Sequence, residues 1–135
     1  MAWLLHPGDP LPALLLAPRV QLSDFAGRYA ILALGQGDAL LQALRSLPLH
    51  GLPAQALPVV GIAPQPLPQG ADLPEGLRIC SDVDGTTARR LGAEDGEAMV
   101  VLCDPRGAVV SAAVDADLGR LLTAAVALAR PLILA

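Results

Sequence analysis

The chain has 135 residues, of which 53% are hydrophobic, 16% charged and 2% aromatic, and its formal net charge is −4. That length suits one domain with a core built from Leu, Val, Ile and Ala, and the charged share is below the roughly 25% usual for soluble proteins, which leaves apolar surface for a partner. Nine arginines and no lysine, single apart from Arg89 and Arg90, exclude a clustered basic face for nucleic acid, and so few aromatics exclude a stacking platform for bases or sugars.

Residues 1–18 are apolar but contain Pro7, Pro10, Pro12 and Pro18 with no basic residue ahead of them, unlike a secretory signal. They suit an extended lead-in with a short edge strand over residues 13–16. Val20 and Leu22 then alternate into a turn holding Ser23, Asp24 and Gly27. Ala30–Leu34 is a continuous apolar run, the pattern of a strand buried on both faces. Asp38 is placed to cap a helix in which Leu40, Leu41, Leu44 and Leu47 recur at helical spacing until Pro48. A second apolar strand follows at Val59–Ala63, so the pair predicts a parallel crossover.

Residues 64–74 hold four prolines and read as a loop. A third strand is expected at 77–80, and Asp84 is placed to cap a helix over 85–91 that stops at Gly92. Residues 99–103 and 108–114 are β-rich and flank Asp104, Pro105, Arg106 and Gly107, a hairpin signal. Asp115 and Asp117 open a last helix whose Leu118, Leu121, Leu122, Ala125, Val126 and Ala129 form one apolar face, with Pro131 placed after its end. The order predicts a single α/β domain over residues 1–135 with a thioredoxin-like layered fold, a mixed and largely parallel sheet flanked by helices. The apolar segment from Leu121 onward is interrupted by Arg130 and Pro131 and is too short to span a bilayer, so a soluble, cytoplasmic protein away from membranes is expected.

Chemistry-bearing residues are sparse. Cys80 and Cys103 form no CxxC, and His6 and His50 have no neighbour of ligand type, so no metal and no disulfide framework are expected. Gly35-Gln36-Gly37 opens like a dinucleotide fingerprint, but Leu40 stands at its third glycine and Asp38 would repel phosphate, so no cofactor is expected. Asp82, Asp84 and Gly85 depart from a calcium loop, with Ala93 where a bidentate Glu is needed. Ser23, Ser46, Ser81 and Ser111 lack the context of a hydrolase nucleophile.

A series of blocks in order carries a family resemblance. They are Pro7-Gly8-Asp9-Pro10, Leu22 to Tyr29, Val59-Val60-Gly61-Ile62, Ser81 to Gly85, Arg90-Leu91-Gly92-Ala93 and Val101 to Gly107. Over nearly its whole length the chain resembles the peroxiredoxins, the alkyl hydroperoxide reductase and thiol-specific antioxidant (redoxin) branch of the thioredoxin superfamily. The resemblance implies a thiolate at the start of the helix after the buried strand, a threonine three residues earlier and a later arginine. At the family's spacing from Gly27, Ala43 takes the cysteine position and Leu40 the threonine position, while Glu97 and Ala98 stand where the arginine is expected. No Cys, Ser or Thr occurs between Asp24 and Arg45. The expectation is a catalytically degenerate member, a binding or regulatory module without peroxidase activity and without catalytic residues at that site. The alternative is a divergent thiol oxidoreductase using Cys80 or Cys103, although buried packing is the commoner role of such cysteines. Low charge and apolar chain ends further suggest a homodimer or another protein partner.

Overall fold

A computed structural model of the chain describes residues 15–16, 20–21, 27–47, 52, 56–63, 77–81, 98–106, 108–115 and 117–134. Strands β1 (Leu15–Leu16) and β2 (Val20–Gln21) form a two-stranded antiparallel ladder. The remaining elements are β3 (Ala30–Leu34), α1 (Gly37–Arg45), β4 (Val59–Ala63), β5 (Leu77–Ser81), β6 (Ala98–Cys103), β7 (Val109–Asp115) and α2 (Leu118–Leu134). The five-stranded sheet has the order β5-β4-β3-β6-β7. Its β3–β4 and β4–β5 pairs are parallel, and its β3–β6 and β6–β7 pairs are antiparallel. This mixed sheet with helices is the α/β, thioredoxin-like architecture that the order of apolar runs predicts, but it is not largely parallel: the two pairs made by β6 are antiparallel and equal the parallel pairs in number.

The apolar runs at β3 and β4 are buried at every position, as strands covered on both faces must be. Among the described residues the two helices lie on one face, α1 against β4 and α2 against β6 and β7, and they touch each other. Ile31, Ala33, Val59, Val100 and Leu102 meet Leu40 and Leu44 of α1 and Leu122 and Val126 of α2 in that core. The alternate residues Leu32, Leu34, Val60, Met99, Val101 and Cys103 belong to the other face and are equally buried.

Several boundaries differ from expectation; β6 begins one residue early, at Ala98, and β7 is displaced by one residue, to Val109–Asp115. Asp38 does not cap α1: Gln36 is the N-cap, with no side-chain capping bond to the helix, and the Leu40 N–H donates to the Gln36 carbonyl at 2.8 Å. Asp38 sits instead inside the first turn, where its charge complements the helix dipole. Pro131 lies within α2 and does not follow it. It removes one helical donor, yet Ile133 still packs on the core and holds the last turn in place. β5 also runs one residue further than expected, to Ser81.

The Asp117 carboxylate accepts the Arg120 N–H at 3.1 Å and opens α2 as expected. The expected hairpin joins β6 to β7, with a register shift at Leu102/Cys103. The helix expected over 85–91, the loop over 64–74 and most of the proline-rich lead-in lie outside the described residues. No described helix is long and apolar enough to cross a membrane.

Candidate functional site

Only Gly35 and Gln36 separate the end of β3 from the start of α1. The Gly35 N–H donates to the Ile62 carbonyl at 3.2 Å, which carries the sheet's bonding one residue past the strand. Gly35 comes close to the start of α2: a Cβ on it would stand 2.8 Å from Cδ2 of Leu118, the first residue of that helix. The two helix starts therefore converge at the carboxyl end of β3, the end where open α/β sheets place their sites.

A groove of about 560 Å³ lies along this convergence. Ala39, Ala43, Ala98 and Leu118 give it apolar walls, and Gln36, Gln42, Ser46 and Asp117 give it polar ones. Along α1 the residues 39, 42, 43 and 46 share one face by their i, i+3, i+4, i+7 spacing, beside the buried stripe of Leu40 and Leu44. Sequence reading missed Gln42, Ser46 and Asp117 as site residues. Their signal is that small and polar stripe, which becomes a groove only once α2 is placed against it.

Among the described residues, the groove's lining includes amides, a hydroxyl and a carboxylate, and no thiol, imidazole or cationic side chain. The first turn of α1 presents backbone N–H groups that no helical carbonyl can accept, an arrangement that favours an anion. The exposed Asp38 carboxylate in the same turn offsets that preference.

The positions inferred from the family spacing fall in different places. Ala43 and Ala98 line the same groove. Leu40, at the threonine position, is fully buried in the core. Ala43 is also not at the helix start: it lies six residues past Gly37, in the second turn. The reason is that the strand-to-helix connection is only two residues long, so α1 begins before the counted position.

Cys103 is remote from the groove. It pairs with Ala30, at the opposite end of β3 from Gly35, and its register row belongs to the face turned away from α1 and α2. Five residues of strand correspond to roughly 16 Å. Burial first, and the neighbouring Asp104 carboxylate second, push the Cys103 thiol up to about 12. The Arg106 guanidinium meets Asp104 at 3.5 Å. Asp104 closes the hairpin by accepting the N–H groups of Ala108 and Arg106, both at 2.9 Å. The Ala108 bond chiefly, and then Arg106, hold its carboxyl below the ordinary value against an opposing effect of burial.

Cys80 pairs with Ile62 on the edge strand β5, in the row that contains Leu34, and so falls at the groove's end of the sheet two strands from β3. The structure thus does not bring Cys80 and Cys103 together. Among the described residues no group of three or more His, Cys, Asp or Glu could hold a metal ion. His6, His50, Asp82 and Asp84 lie outside the described residues.

No protein-family model matches the chain, and no curated protein matches its sequence. Solved structures do match it. Peroxiredoxin Q of Xanthomonas campestris superposes with a TM-score of 0.67 at 16% identity, over 97% of this chain and 98% of that one. Thioredoxin peroxidase I of Plasmodium yoelii gives 0.64 at 18% identity, over 95% and 88%. A Chlorobium tepidum protein described as the thiol:disulfide interchange protein DsbE gives 0.62 at 22% identity, over 80% and 84%. At these identities the likeness is one of fold: the chain has the thioredoxin-like fold in its peroxiredoxin-like form.

Proposed function

We propose that this chain is a catalytically silent, peroxiredoxin-like module that acts by non-covalent recognition, with the groove between α1 and the start of α2 as its working surface. One observation carries the reading. Where a thiol chemistry on this fold needs a cysteine, the helix start supplies Gly37, Asp38, Ala39 and Leu40. A peroxidatic thiolate needs helix-start amides and a nearby cation to ionise and to polarise the peroxide. Here the first turn carries an acid, and Glu97 and Ala98 stand in the sequence where the resemblance implies an arginine. Two cysteines too far apart to bridge suit a reducing, cytoplasmic setting.

The test is consumption of hydrogen peroxide and organic hydroperoxides with dithiothreitol or thioredoxin as donor. The expected rate is that of free thiol. Turnover well above it that disappears in Cys80→Ser or Cys103→Ser would overturn the proposal and favour a divergent thiol oxidoreductase. Cys80 is the stronger candidate for that role, because its strand position is at the groove's end of the sheet.

A further inference from the structure

Among the described residues, the large hydrophobic side chains that remain exposed are Leu128 (44%), Leu132 (42%) and Leu134 (53%), all near the end of α2. Ala124, Ala127 and Pro131 are exposed beside them. The positions 124, 127, 128, 131 and 132 repeat at i, i+3, i+4, i+7 and i+8, so they form one stripe along the side of α2 away from the sheet. The opposite side is the buried core face. A helix apolar on both sides is the pattern of one covered all round. The stripe carries no acid, and its one charged residue is the exposed Arg120 at the N-terminal end.

We propose that a second copy of this chain docks on that stripe, with the two α2 helices antiparallel about a two-fold axis near Ala127. Charge complementarity selects this occupant. In its own helix Arg120 stands at the end where the backbone dipole is positive, the unfavourable end for a cation. An antiparallel register centred on residue 127 sets residue 120 of each copy opposite residue 134 of the other. Each Arg120 then meets the terminal carbonyls of the opposing helix, which lack helical donors and concentrate negative charge.

The shape also fits itself. The small Ala124 and Ala127 occupy the first half of the stripe and the leucines the second, so each bulky end lies along a small-residue half. Self-complementarity of one patch is what a two-fold contact requires. From Arg120 to Leu134 the helix spans roughly 21 Å, which places the contact at the small, reversible end of the interface range, below about 1,200 Å² in total.

Sedimentation velocity of the full chain from low to high micromolar concentration tests this. The wild type is expected to show a concentration-dependent monomer–dimer equilibrium. Ala127→Glu sets two carboxylates against each other at the axis and should weaken association at least tenfold, and Arg120→Glu should weaken it several-fold. Both sites are exposed, so circular dichroism should be unchanged, and at concentrations where the wild type is monomeric the thermal midpoint of Ala127→Glu should stay close to it while that of Arg120→Glu should be equal or slightly higher, since a cation leaves the positive helix end. In a Cys80→Ser background, Ala127→Cys should link to itself across the axis on mild oxidation, whereas Gln42→Cys on α1 should not. A wild type that stays monomeric throughout overturns the proposal, as does a dimer that survives Ala127→Glu, or an Ala127→Cys that links no faster than Gln42→Cys.

Discussion

Leu40 lies against Gly61 with no space for a side chain between them: a Cβ on Gly61 would stand 2.9 Å from Leu40 Cδ2 and 3.1 Å from both Leu40 Cγ and Leu44 Cδ1. This contact sets how closely α1 rides on β4. Leu40 and Leu44 are fully buried, so neither can swing outward to make room. Gly61→Ala should therefore cost about 1–3 kcal/mol by overpacking. Gly35→Ala should cost less, because only the Cδ2 methyl of Leu118 obstructs it, with Cγ and Cδ1 at 3.7 and 3.8 Å. Chemical denaturation of the two variants checks the order, and equal losses would contradict it. Leu40→Val should recover part of the Gly61→Ala loss in a double-mutant cycle.

Burial, and then the Asp104 carboxylate, push the Cys103 thiol in the folded chain from 9.0 up to about 12. Its folded value is raised, so the stability linked to its neutral form is complete below about pH 9 and is lost as pH rises from there through 12. Replacing it by Ala should flatten the decline in stability over that window. Thiolate absorbance in the native protein should likewise be absent for Cys103 until the window's upper end. A native Cys103 that reacts with a disulfide reagent at pH 8 as fast as in denaturant would refute this placement.

Cys80 and Cys103 should not form an intramolecular disulfide. The row of Cys80 crosses β4 at Ile62 and β3 at Leu34 and reaches β6 at Met99, four residues from Cys103. Three strand spacings and four residues of rise put the two positions roughly 20 Å apart, far beyond the roughly 7 Å limit between bridged Cα atoms. Peptide mapping after mild oxidation should find no link between them within one chain.

Much of this architecture is legible in the residues themselves. Ala30–Leu34 and Val59–Ala63 are strands at the expected bounds, because an unbroken apolar run between turn residues has few alternatives in an α/β chain. Local signals fail where two of them compete. Asp38 looks like a cap, but the backbone begins the helix two residues earlier than that cap would, at Gly37, and Pro131 looks like a stop, but the packing of Ile133 carries the helix through it. The groove was not legible because its walls come from residues 35–46, 98 and 117–119, which the register of β3 with β6 and the docking of α2 bring together. The same register decides the face and end on which Cys103 lies, which a position in sequence cannot show.

The early start of α1 predicts a contrast between two engineered thiols. Ala39→Cys places a cysteine in the first turn, beside unpaired backbone amides, whereas Ala43→Cys places it in the second turn, where those amides are already bonded. The thiol at 39 should react faster with a disulfide reagent at neutral pH, and Asp38→Asn should accelerate it further by removing the adjacent negative charge. Equal rates at 39 and 43, read from pH profiles, would show that the helix start is not where the short connection puts it.

Pro131 also divides α2 into parts of unequal cooperativity. Without its N–H, Pro131 leaves the carbonyl of Ala127 without its helical donor, so the turn from 131 to 134 has one bond fewer to the turn before it. Leu118 to Arg130 carry the helix's fully buried residues, so they open only when the core does, whereas the final turn is anchored through the half-buried Ile133. Amide exchange should therefore fall into two classes with their border at 131, the last turn opening as a separate unit of low protection while the rest of the helix exchanges with global unfolding. The terminal leucines can in this way be released and re-seated without disturbing the sheet.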